Sequence, residues 1–566
     1  MSLTKLNRTQ AQISRAALQR LYIAMRHLFI RGNYKPLGVS GEAMIEAMMA
    51  LRPEIYGSII DSERVELSGL LYIFQRLPEG IEECRYIKLI SREGYESTDI
   101  QPLTPSKRRR DCYRIDKEQM FVEMTRGRSD IYDILTHLTF MYMEAEKIRR
   151  NSLDSKERKK RDWVMLEKIV HQIEQGEDYD KLVAYTYLSN ILGRTFQETV
   201  AAGSKFEAAE KVNSLFNITY WLGRLSMEEY LHDTDREISF SSSLRQEIGH
   251  HIYGEIWANR IKATIVENQW AQRPIHIISA NLHSVLNTLF AVKALENKNP
   301  KNTLQDWTAE LSQVGNYELR EVVRQYALKN GMIELFDTSA TGITVQIFDL
   351  EQLDANDLAV NLRPKKGKKT DRLPVLIVMD YAFGEQAFES LDELLKPFDS
   401  KQEKIPLHIE SVSIMGKAGI LEGGKGDIMI PTAHVFEGTA DNYPLENALT
   451  KADFEGQGLG VYEGAMITVL GTSLQNRDIL RYFLKSSWKA IGLEMEGAHY
   501  QKAIQAASKI RHSVSKDLVV RYAYYASDNP LETGSTLASG SLGFDGVKPT
   551  YLITEKILEG IMNPKN

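Results

Sequence analysis

The stretch VLIVMDYAFGEQAFESLDELL, residues 375–395, decides the fold class of the second half of the chain. Its first five residues, 375–379, are all apolar, which is typical of a strand that is buried on both faces. A short polar turn follows, and residues 386–395 then carry apolar side chains at the spacing of an amphipathic helix. A buried strand followed directly by a helix predicts an α/β domain.

Further strand candidates lie on both sides of this stretch. They are the apolar runs at 275–278, 409–415, 428–431, 465–470 and 519–525, and a helical pattern covers residues 281–295. Strands that alternate with helices predict a mostly parallel sheet covered on both faces. We therefore expect a C-terminal α/β domain over residues 269–566, with a mixed, mostly parallel sheet.

Residues 1–268 have a different pattern, which predicts a mainly α-helical N-terminal domain. Proline is scarce between residues 53 and 274, as suits long helices. Short apolar runs near 64–95 are the exception and predict a few strands. Apolar residues recur at helical spacing, for example at Ile131, Ile134, Leu135, Leu138 and Tyr142. The pattern assigns no role to this half.

The composition is that of an ordinary globular protein. The 566 residues are 43% hydrophobic and 26% charged, and the net charge of −6 gives no support for a nucleic-acid partner. There is no apolar run of 18 residues, so we expect no membrane span. Only two cysteines, Cys84 and Cys112, are present, which favours a reducing cytoplasm.

Two polar clusters outside the α/β half have simple interpretations. Residues 107–110 read Lys-Arg-Arg-Arg. Such a run can bind phosphate or nucleic acid, but a solvated loop or helix face is the better expectation. The pair His250 and His251 is expected to lie at the surface or at a helix cap. Since no His, Cys or Asp cluster has zinc spacing, we expect neither a metal nor a cofactor.

Three segments carry residues suited to chemistry. They read MGKAG at 415–419 with GDIMIP at 426–431, GLEMEGA at 492–498, and ASDNP at 526–530. Small residues after a strand let the backbone approach a ligand closely, and ligands of open α/β sheets bind beyond the carboxyl ends of strands. A carboxylate can accept two hydrogen bonds from a vicinal diol such as that of ribose.

In this order the three segments resemble the purine nucleoside phosphorylase and nucleosidase superfamily. Within it, Gly416-Lys417-Ala418-Gly419 is most similar to the Gly-Lys-Cys-Gly segment of AMP nucleosidases. The resemblance implies a three-layer α/β phosphorylase-like domain. It also implies that Glu496 holds the ribose hydroxyls and that Asp528 protonates the purine at N7, which makes these two the catalytic residues. The substrate-binding residues that it implies are Met495, Glu494, Gly416, Lys417, Gly419, Gly384, Ser527 and Arg477.

The activity expected from this resemblance is hydrolysis of AMP to adenine and ribose 5-phosphate. Lys417 and Arg477 are then candidates for the 5′-phosphate. Phosphorylases of the family carry a phosphate-binding glycine and arginine after the first strand, where this chain has Ser279, Ala280 and Asn281. That difference favours water over phosphate as the nucleophile.

Two alternatives stay open at this point. One is a phosphorylase or nucleosidase that acts on an unphosphorylated nucleoside. The other is a module that senses purine nucleotides without catalysis. The expected partner in each case is a small purine nucleotide or nucleoside, with no nucleic acid and no membrane, and the superfamily implies a homo-oligomer.

Overall fold

The chain divides into two compact units. The first comprises Met1–His250 and Ser473–Ile479, and the second comprises His251–Thr472 and Leu480–Asn566. The computed structural model describes residues 9–36, 38–363, 373–400, 403–439, 441–532 and 542–564. Within these residues no helix has an apolar stretch long enough to span a membrane.

Nine helices and five strands make up the first unit over its described residues. The helices are α1 (Gln10–Arg31), α2 (Val39–Leu51), α3 (Leu67–Phe74), α4 (Gly127–Ser152), α5 (Arg161–Gln175), α6 (Lys181–Leu192), α7 (Phe196–Glu207), α8 (Leu215–His232) and α9 (Ser242–Glu247). The strands are β1 (Asn33–Tyr34), β2 (Tyr86–Ile90), β3 (Cys112–Arg114), β4 (Gln119–Glu123) and β5 (Glu237–Phe240). They form one sheet in the order β1-β5-β2-β4-β3.

This unit is helical in bulk, but its sheet extends well beyond the strands expected near residues 64–95. Only β2 falls in that window, and the other four strands come from distant parts of the unit. Each strand has two to five residues. Runs of that length are too short to show an alternating pattern, because a period of two needs several repeats to be recognised.

The basic run at 107–110 is solvated only in part, since Lys107 and Arg109 are exposed but Arg110 is buried. Arg110 is only 3% exposed, and its guanidinium donates to Asp130 at 2.6 Å and to Asp133 at 2.9 Å. Arg108 also pairs with Asp133, at 2.8 Å. Both aspartates are buried on α4, so Arg108 and Arg110 turn inward to carboxylates that a local pattern does not reveal.

The second unit is an α/β domain, which confirms the predicted fold class. Its helices are α10 (Ile252–Glu267), α11 (Leu282–Ala294), α12 (Leu304–Leu311), α13 (Tyr317–Lys329), α14 (Gln386–Leu394), α16 (Gly497–Gln505) and α17 (Val547–Met562), and α15 (Arg477–Lys485) includes residues of both units. Its strands are β6 (Ile275–Ser279), β7 (Met332–Leu335), β8 (Val345–Asp349), β9 (Val375–Met379), β10 (Phe398–Ser400), β11 (Glu403–Ile405), β12 (Ile409–Ile420), β13 (Ile428–Phe436), β14 (Asn442–Pro444), β15 (Val461–Thr468), β16 (Ala490–Glu494) and β17 (Val519–Asp528).

Ten of these strands form one sheet in the order β14-β13-β15-β16-β12-β6-β9-β8-β7, with β17 paired to both β12 and β13. The strands β12, β16, β15, β13 and β17 therefore close into a ring. Between described residues, five strand pairings of the sheet are parallel and five are antiparallel. The expected parallel majority is thus replaced by an even mixture, because closing the ring and adding the edge strands both use antiparallel pairs.

Helices cover both faces of this sheet. On β9, Val375, Ile377 and Met379 belong to one buried core, and Leu376 and Val378 belong to another. The first core contains residues of α10, α14 and α16, and the second contains residues of α11, α12, α13 and α17. A strand that is apolar on both faces therefore lies between two helical layers, as the run at 375–379 predicts.

Helix α10 lies before the boundary expected near residue 268, yet it is part of the second unit. Its Trp257, Ala258, Ile261 and Ile265 are buried in the same core as the strands β6 and β9. The Trp257 indole also donates to the carbonyl of Ile343 at 3.0 Å. The helical pattern alone could not show which unit the apolar face of α10 packs against.

Candidate active site

A cavity of about 230 Å³ lies in the second unit at the ends of the strands β6, β9, β12 and β16. Residues of all three motif segments line it, namely Gly416, Lys417 and Gly419, then Glu494, Met495 and Glu496, and finally Ser527. These residues are distant in sequence, and the strands bring them together because the strand ends meet at one edge of the sheet.

The ring of strands determines where Asp528 lies. Strands β12 and β17 run parallel, and a shift in register between Ala418 and Gly419 places Asp528 opposite Gly419. Such an irregularity changes the direction of a strand and re-aims the side chains that follow it. The end of β17 is thereby placed beside the glycine-rich end of β12, where Ser527 lines the cavity.

Asp528 is buried and only partly hydrogen-bonded. The Ser527 hydroxyl lies 2.5 Å from its Oδ1 and 3.1 Å from the Ala418 carbonyl oxygen. Its Oδ2 is buried and has no hydrogen-bond partner among the described residues. Burial raises the pKa of the Asp528 carboxyl to about 6, although the hydrogen bond from Ser527 and the charge of Lys417 oppose this change. A carboxyl group of this kind holds a proton more readily than an exposed aspartate does.

Glu494 has a carboxylate that is already occupied by the protein. It accepts hydrogen bonds from the Thr468 hydroxyl, from the backbone N–H of Glu496 at 2.5 Å, and from the backbone N–H of Gly497. Burial raises its pKa to about 7, and these hydrogen bonds act in the opposite direction. Although Glu494 lines the cavity, its oxygens hold the first turn of α16 in place, so its contacts are those of a positioning residue.

Glu496 is the freer of the two glutamates. Its Oε1 accepts one hydrogen bond from the backbone N–H of Gly384, at 2.9 Å. Burial and then the negative charge of Glu494 raise the pKa of Glu496 to about 8. Backbone hydrogen bonds from Gly384 and Met495 oppose this change. Glu496 lines the cavity, where its carboxylate can be reached by a diol.

Gly384 thus contacts a carboxylate of the protein, whereas the resemblance implied that it binds substrate. Its φ of +54° is in the left-handed region, where glycine has no steric cost. This conformation turns the loop after β9 so that the N–H of Gly384 points at Glu496. Neither the sign of φ nor the hydrogen-bond partner of Gly384 could be deduced from the sequence of this loop.

Lys417 is exposed and lies where two cavities meet. It lines the first cavity and also a second one of about 400 Å³. The second cavity is lined by the start of α11, by Arg320 of α13, and by the start of α17. Lys417 has no hydrogen-bond or ion-pair partner among the described residues, so its ammonium group is available to a ligand in either cavity.

Arg477, like Gly384, is a proposed substrate-binding residue that lines neither cavity. It belongs to the first unit, where its Nε lies 3.7 Å from a carboxylate oxygen of Glu54. The sequence makes a basic residue at the start of a helix a candidate for binding phosphate. The location of Arg477, however, depends on how the segment Ser473–Ile479 packs.

Several cavity residues were not identified from the sequence. The hydroxyl of Tyr500 lies 3.0 Å from the hydroxyl of Ser279, and both residues line the first cavity. Tyr524, another lining residue, has its hydroxyl 3.2 Å from Nε2 of the buried His434. Burial lowers the pKa of His434 to about 3, so this imidazole is neutral. No spacing signal marks these residues, since tyrosines in strands and helices are usually core residues.

One group of side chains in the described part of the chain has a metal-like arrangement. His251, Asp392 and Glu393 each place a ligand atom within 4.8 Å of the others. However, Arg511 pairs with Asp392 at 2.7 Å, and Lys396 pairs with Glu393 at 2.6 Å. These carboxylates are already neutralised by cations, so ion pairing accounts for the cluster.

Fold and site together define the second unit as an α/β domain with a strand-end cavity lined by carboxyl groups. The family described as "Family of unknown function (DUF6909)" matches residues 42–312 and 302–563, and the chain belongs to that family. The sequence matches no curated protein.

Three solved structures are similar to about half of the chain. The 5′-methylthioadenosine/S-adenosyl homocysteine nucleosidase of Helicobacter pylori is 14% identical, with 52% of this chain and 99% of that chain covered and a TM-score of 0.29. Futalosine hydrolase of Helicobacter pylori is 13% identical, with coverages of 52% and 98% and a TM-score of 0.29. The nucleosidase of Campylobacter jejuni is 11% identical, with coverages of 51% and 97% and a TM-score of 0.28. The chemistry of this chain has to be argued from its own site.

Proposed function

We propose that the second unit hydrolyses the N-glycosidic bond of a purine nucleotide, with AMP as the substrate. The products are adenine and ribose 5-phosphate. The observation that carries this proposal is the arrangement of two carboxyl groups near one strand-end cavity. Glu496 lines the cavity, and Asp528 directly follows and is hydrogen-bonded to the lining residue Ser527. Asp528 is buried and Glu496 is half-buried, both have raised pKa values, and Oδ2 of Asp528 has no hydrogen-bond partner among the described residues.

The proposed reaction breaks the bond between the anomeric carbon of ribose and N9 of the purine. The bonding electrons leave with the base, and Asp528 delivers its proton to N7 so that the base departs as neutral adenine. Water adds to the anomeric carbon and loses one proton. This proton replaces the one that Asp528 gave to the base. A pKa of about 6 suits Asp528 to this role, since general acids work best when their pKa lies near the working pH.

Glu496 acts on the sugar in this proposal. Its raised pKa means that Glu496 holds a proton at neutral pH. Hydroxyl groups of ribose that donate to it favour the ionised form, because hydrogen bonds to a carboxylate lower its pKa. Substrate binding would therefore generate a negative charge beside the sugar, where positive charge develops as the base departs. Such preorganised charge is often a large part of catalysis.

Glu494 supports this arrangement without contacting substrate. Its hydrogen bonds to the backbone of Glu496 and Gly497 fix the turn from which Glu496 projects. Its charge also contributes to the raised pKa of Glu496. The proposed ribose clamp is therefore held from two sides, by Glu494 on its own chain segment and by Gly384 from the loop after β9.

The test is to incubate the full-length protein with AMP or adenosine, each with and without inorganic phosphate, and to separate the products by chromatography. We expect adenine and ribose 5-phosphate from AMP without added phosphate. Ribose 1-phosphate formed from adenosine only when phosphate is present would overturn hydrolysis in favour of phosphorolysis. Asp517→Asn is the matched control for Asp528→Asn, because Asp517 is exposed just before the opposite end of β17.

A protein that binds AMP but releases no adenine would instead be a nucleotide sensor. Calorimetric titration of the wild-type protein and of Asp528→Asn with AMP distinguishes the two cases. Equal binding by both proteins, with product formed by the wild type alone, supports catalysis. Equal binding with no product from either protein would refute it.

A further inference from the structure

The second cavity, of about 400 Å³, has a charge pattern that the proposed reaction at the first cavity does not explain. Its lining includes Arg320, Lys417 and His283, and no aspartate or glutamate is present among its described lining residues. The other polar groups are amides and hydroxyls, contributed by Asn281, Ser284, Asn287, Ser312, Thr550 and Tyr551. A concave surface with cations, neutral donors and no carboxylate is suited to an anion.

Arg320 is held in a fixed position at this cavity. Its Nη1 donates to the carbonyl oxygens of Leu311 at 3.0 Å and of Gln313 at 3.2 Å. Its guanidinium also lies 4.5 Å from the centroid of the Tyr317 ring. The Nε and Nη2 groups have no hydrogen-bond partner among the described residues. These two N–H groups form one edge of the guanidinium plane, the geometry that binds two oxygens of a phosphate side by side.

The start of α11 adds further favourable charge. Asn281 caps this helix of 13 residues, and Asn281, His283 and Ser284 from its first turn line the cavity. The positive end of a helix dipole favours an anion placed there. Burial, and then the positive charge of Arg320, lower the pKa of His283. His283 is thus a neutral hydrogen-bonding group in the empty cavity, beside two permanent cations.

The two cavities meet at Lys417, which lines both. Lys417 is carried by β12 next to the segment that borders the proposed purine and ribose site. A substrate whose sugar is held at Glu496 therefore has a cationic cavity next to it. We propose that the 400 Å³ cavity binds the phosphate monoester of a nucleotide substrate, with Arg320 as the residue that selects a phosphorylated substrate over a nucleoside. This inference rests on the proposed function for its substrate.

The experiment compares Arg320→Met with Arg324→Met, which removes the same charge from the same helix. Arg324 pairs with Glu334 at 2.6 Å and does not line the cavity. Affinity for AMP and for adenosine is measured by calorimetry in the Asp528→Asn background, so that turnover does not interfere. We expect Arg320→Met to weaken AMP binding by at least about tenfold and to leave adenosine unchanged, as loss of a charge-assisted hydrogen bond implies.

Arg320→Lys is the second variant, and it keeps both the charge and the apolar stem. It should weaken AMP binding by several-fold, because an ammonium group cannot present two parallel N–H groups. AMP affinity that is the same in the Arg320 and Arg324 variants would overturn the proposal. An Arg320→Lys variant with full AMP affinity would also overturn it if Arg320→Met does not fold.

The outcomes separate this inference from the proposed reaction. Arg320-dependent preference for AMP in a protein that releases no adenine keeps the phosphate site and refutes the hydrolase. Equal hydrolysis of AMP and adenosine by the wild type refutes the phosphate site and keeps the glycosidase. A third experiment adds increasing inorganic phosphate to the protein with adenosine and measures the rate of cleavage. Phosphate that accelerates adenosine cleavage through Arg320 would show that the cavity takes the free ion, which overturns its assignment to a substrate phosphate.

Discussion

Replacing Asp528 with asparagine is expected to abolish proton transfer to the purine while it preserves the shape of the site. Asparagine has nearly the same volume and still accepts the Ser527 hydrogen bond through its carbonyl oxygen. Its amide N–H can donate a hydrogen bond to N7 of the purine but cannot release a proton. Binding should therefore persist while departure of the base becomes slow.

The size of the effect follows from the pKa of this carboxyl group. With a pKa of about 6, against the ordinary 3.8, the protonated fraction of Asp528 at pH 7 rises from about 0.06% to about 10%. Burial thus makes the acid form roughly 150 times more abundant. General acid catalysis is worth about 10²–10⁴-fold, so we expect kcat/KM for AMP to fall by that factor in Asp528→Asn.

The assay measures by chromatography the adenine released from AMP, in reactions run between pH 5 and pH 9. The wild-type rate should fall as the pH rises above about 6, because the proton donor is lost, and the asparagine variant should lack this limb. An asparagine variant that retains more than a tenth of the wild-type kcat/KM would refute Asp528 as the general acid. Asp517→Asn should behave as the wild type throughout.

The same carboxyl group should make the protein less stable at high pH. Its pKa is raised in the folded protein, so its favourable contribution is complete below pH 3.8 and is lost as the pH rises through about 6. Asparagine carries no such penalty. Asp528→Asn should therefore melt at a higher temperature than the wild type at pH 8, and the difference should shrink towards pH 4. A difference that is independent of pH would contradict this assignment of the pKa.

Three other changes give separate tests of the site. Lys417→Met removes a positive charge that lowers the pKa of the general acid, so the descending limb of the pH–rate profile should move to higher pH, and an unmoved limb would argue against that coupling. Glu494→Gln should lower the free energy of unfolding by about 1–3 kcal/mol in urea titrations, whereas exposed Glu463→Gln should change little. The reason is that an amide has one acceptor oxygen, so either the Thr468 hydroxyl or the two backbone N–H groups face an NH2 donor. Gly384→Ala should cost about 1 kcal/mol of stability through its positive φ and should lower kcat/KM for AMP by displacing the N–H that holds Glu496, and unchanged kinetics would show that this contact is dispensable.

Local patterns predicted the parts of the fold that depend on burial. The apolar run at 375–379 indicated a strand between two covered faces, and its side chains do alternate between two cores. Patterns were less informative where strands are short or where partners are distant. The first unit contains a sheet of five short strands, and Arg110 is buried against carboxylates of α4, although its sequence context is that of a solvated run.

The motif segments were predicted as one site, and the residues at 416–419 and 494–496 together with Ser527 do line one cavity. Two details of that prediction changed. Gly384 contacts a carboxylate, and Arg477 belongs to the first unit. The second cavity and Arg320 had no signal in the sequence, because an arginine in an amphipathic helix is ordinarily a surface residue.

The sequence by itself determined that the second half is an α/β domain and which strand ends carry reactive side chains, because burial and turn chemistry are local properties. Tertiary structure decided which of those side chains meet, which oxygens are already hydrogen-bonded, and how far burial shifts each pKa. Closure of the ring by β17 brings Asp528 to Gly419, and the packing of α11, α13 and α17 forms a cationic cavity beside Lys417. These are consequences of contacts between distant segments, and no local pattern specifies them.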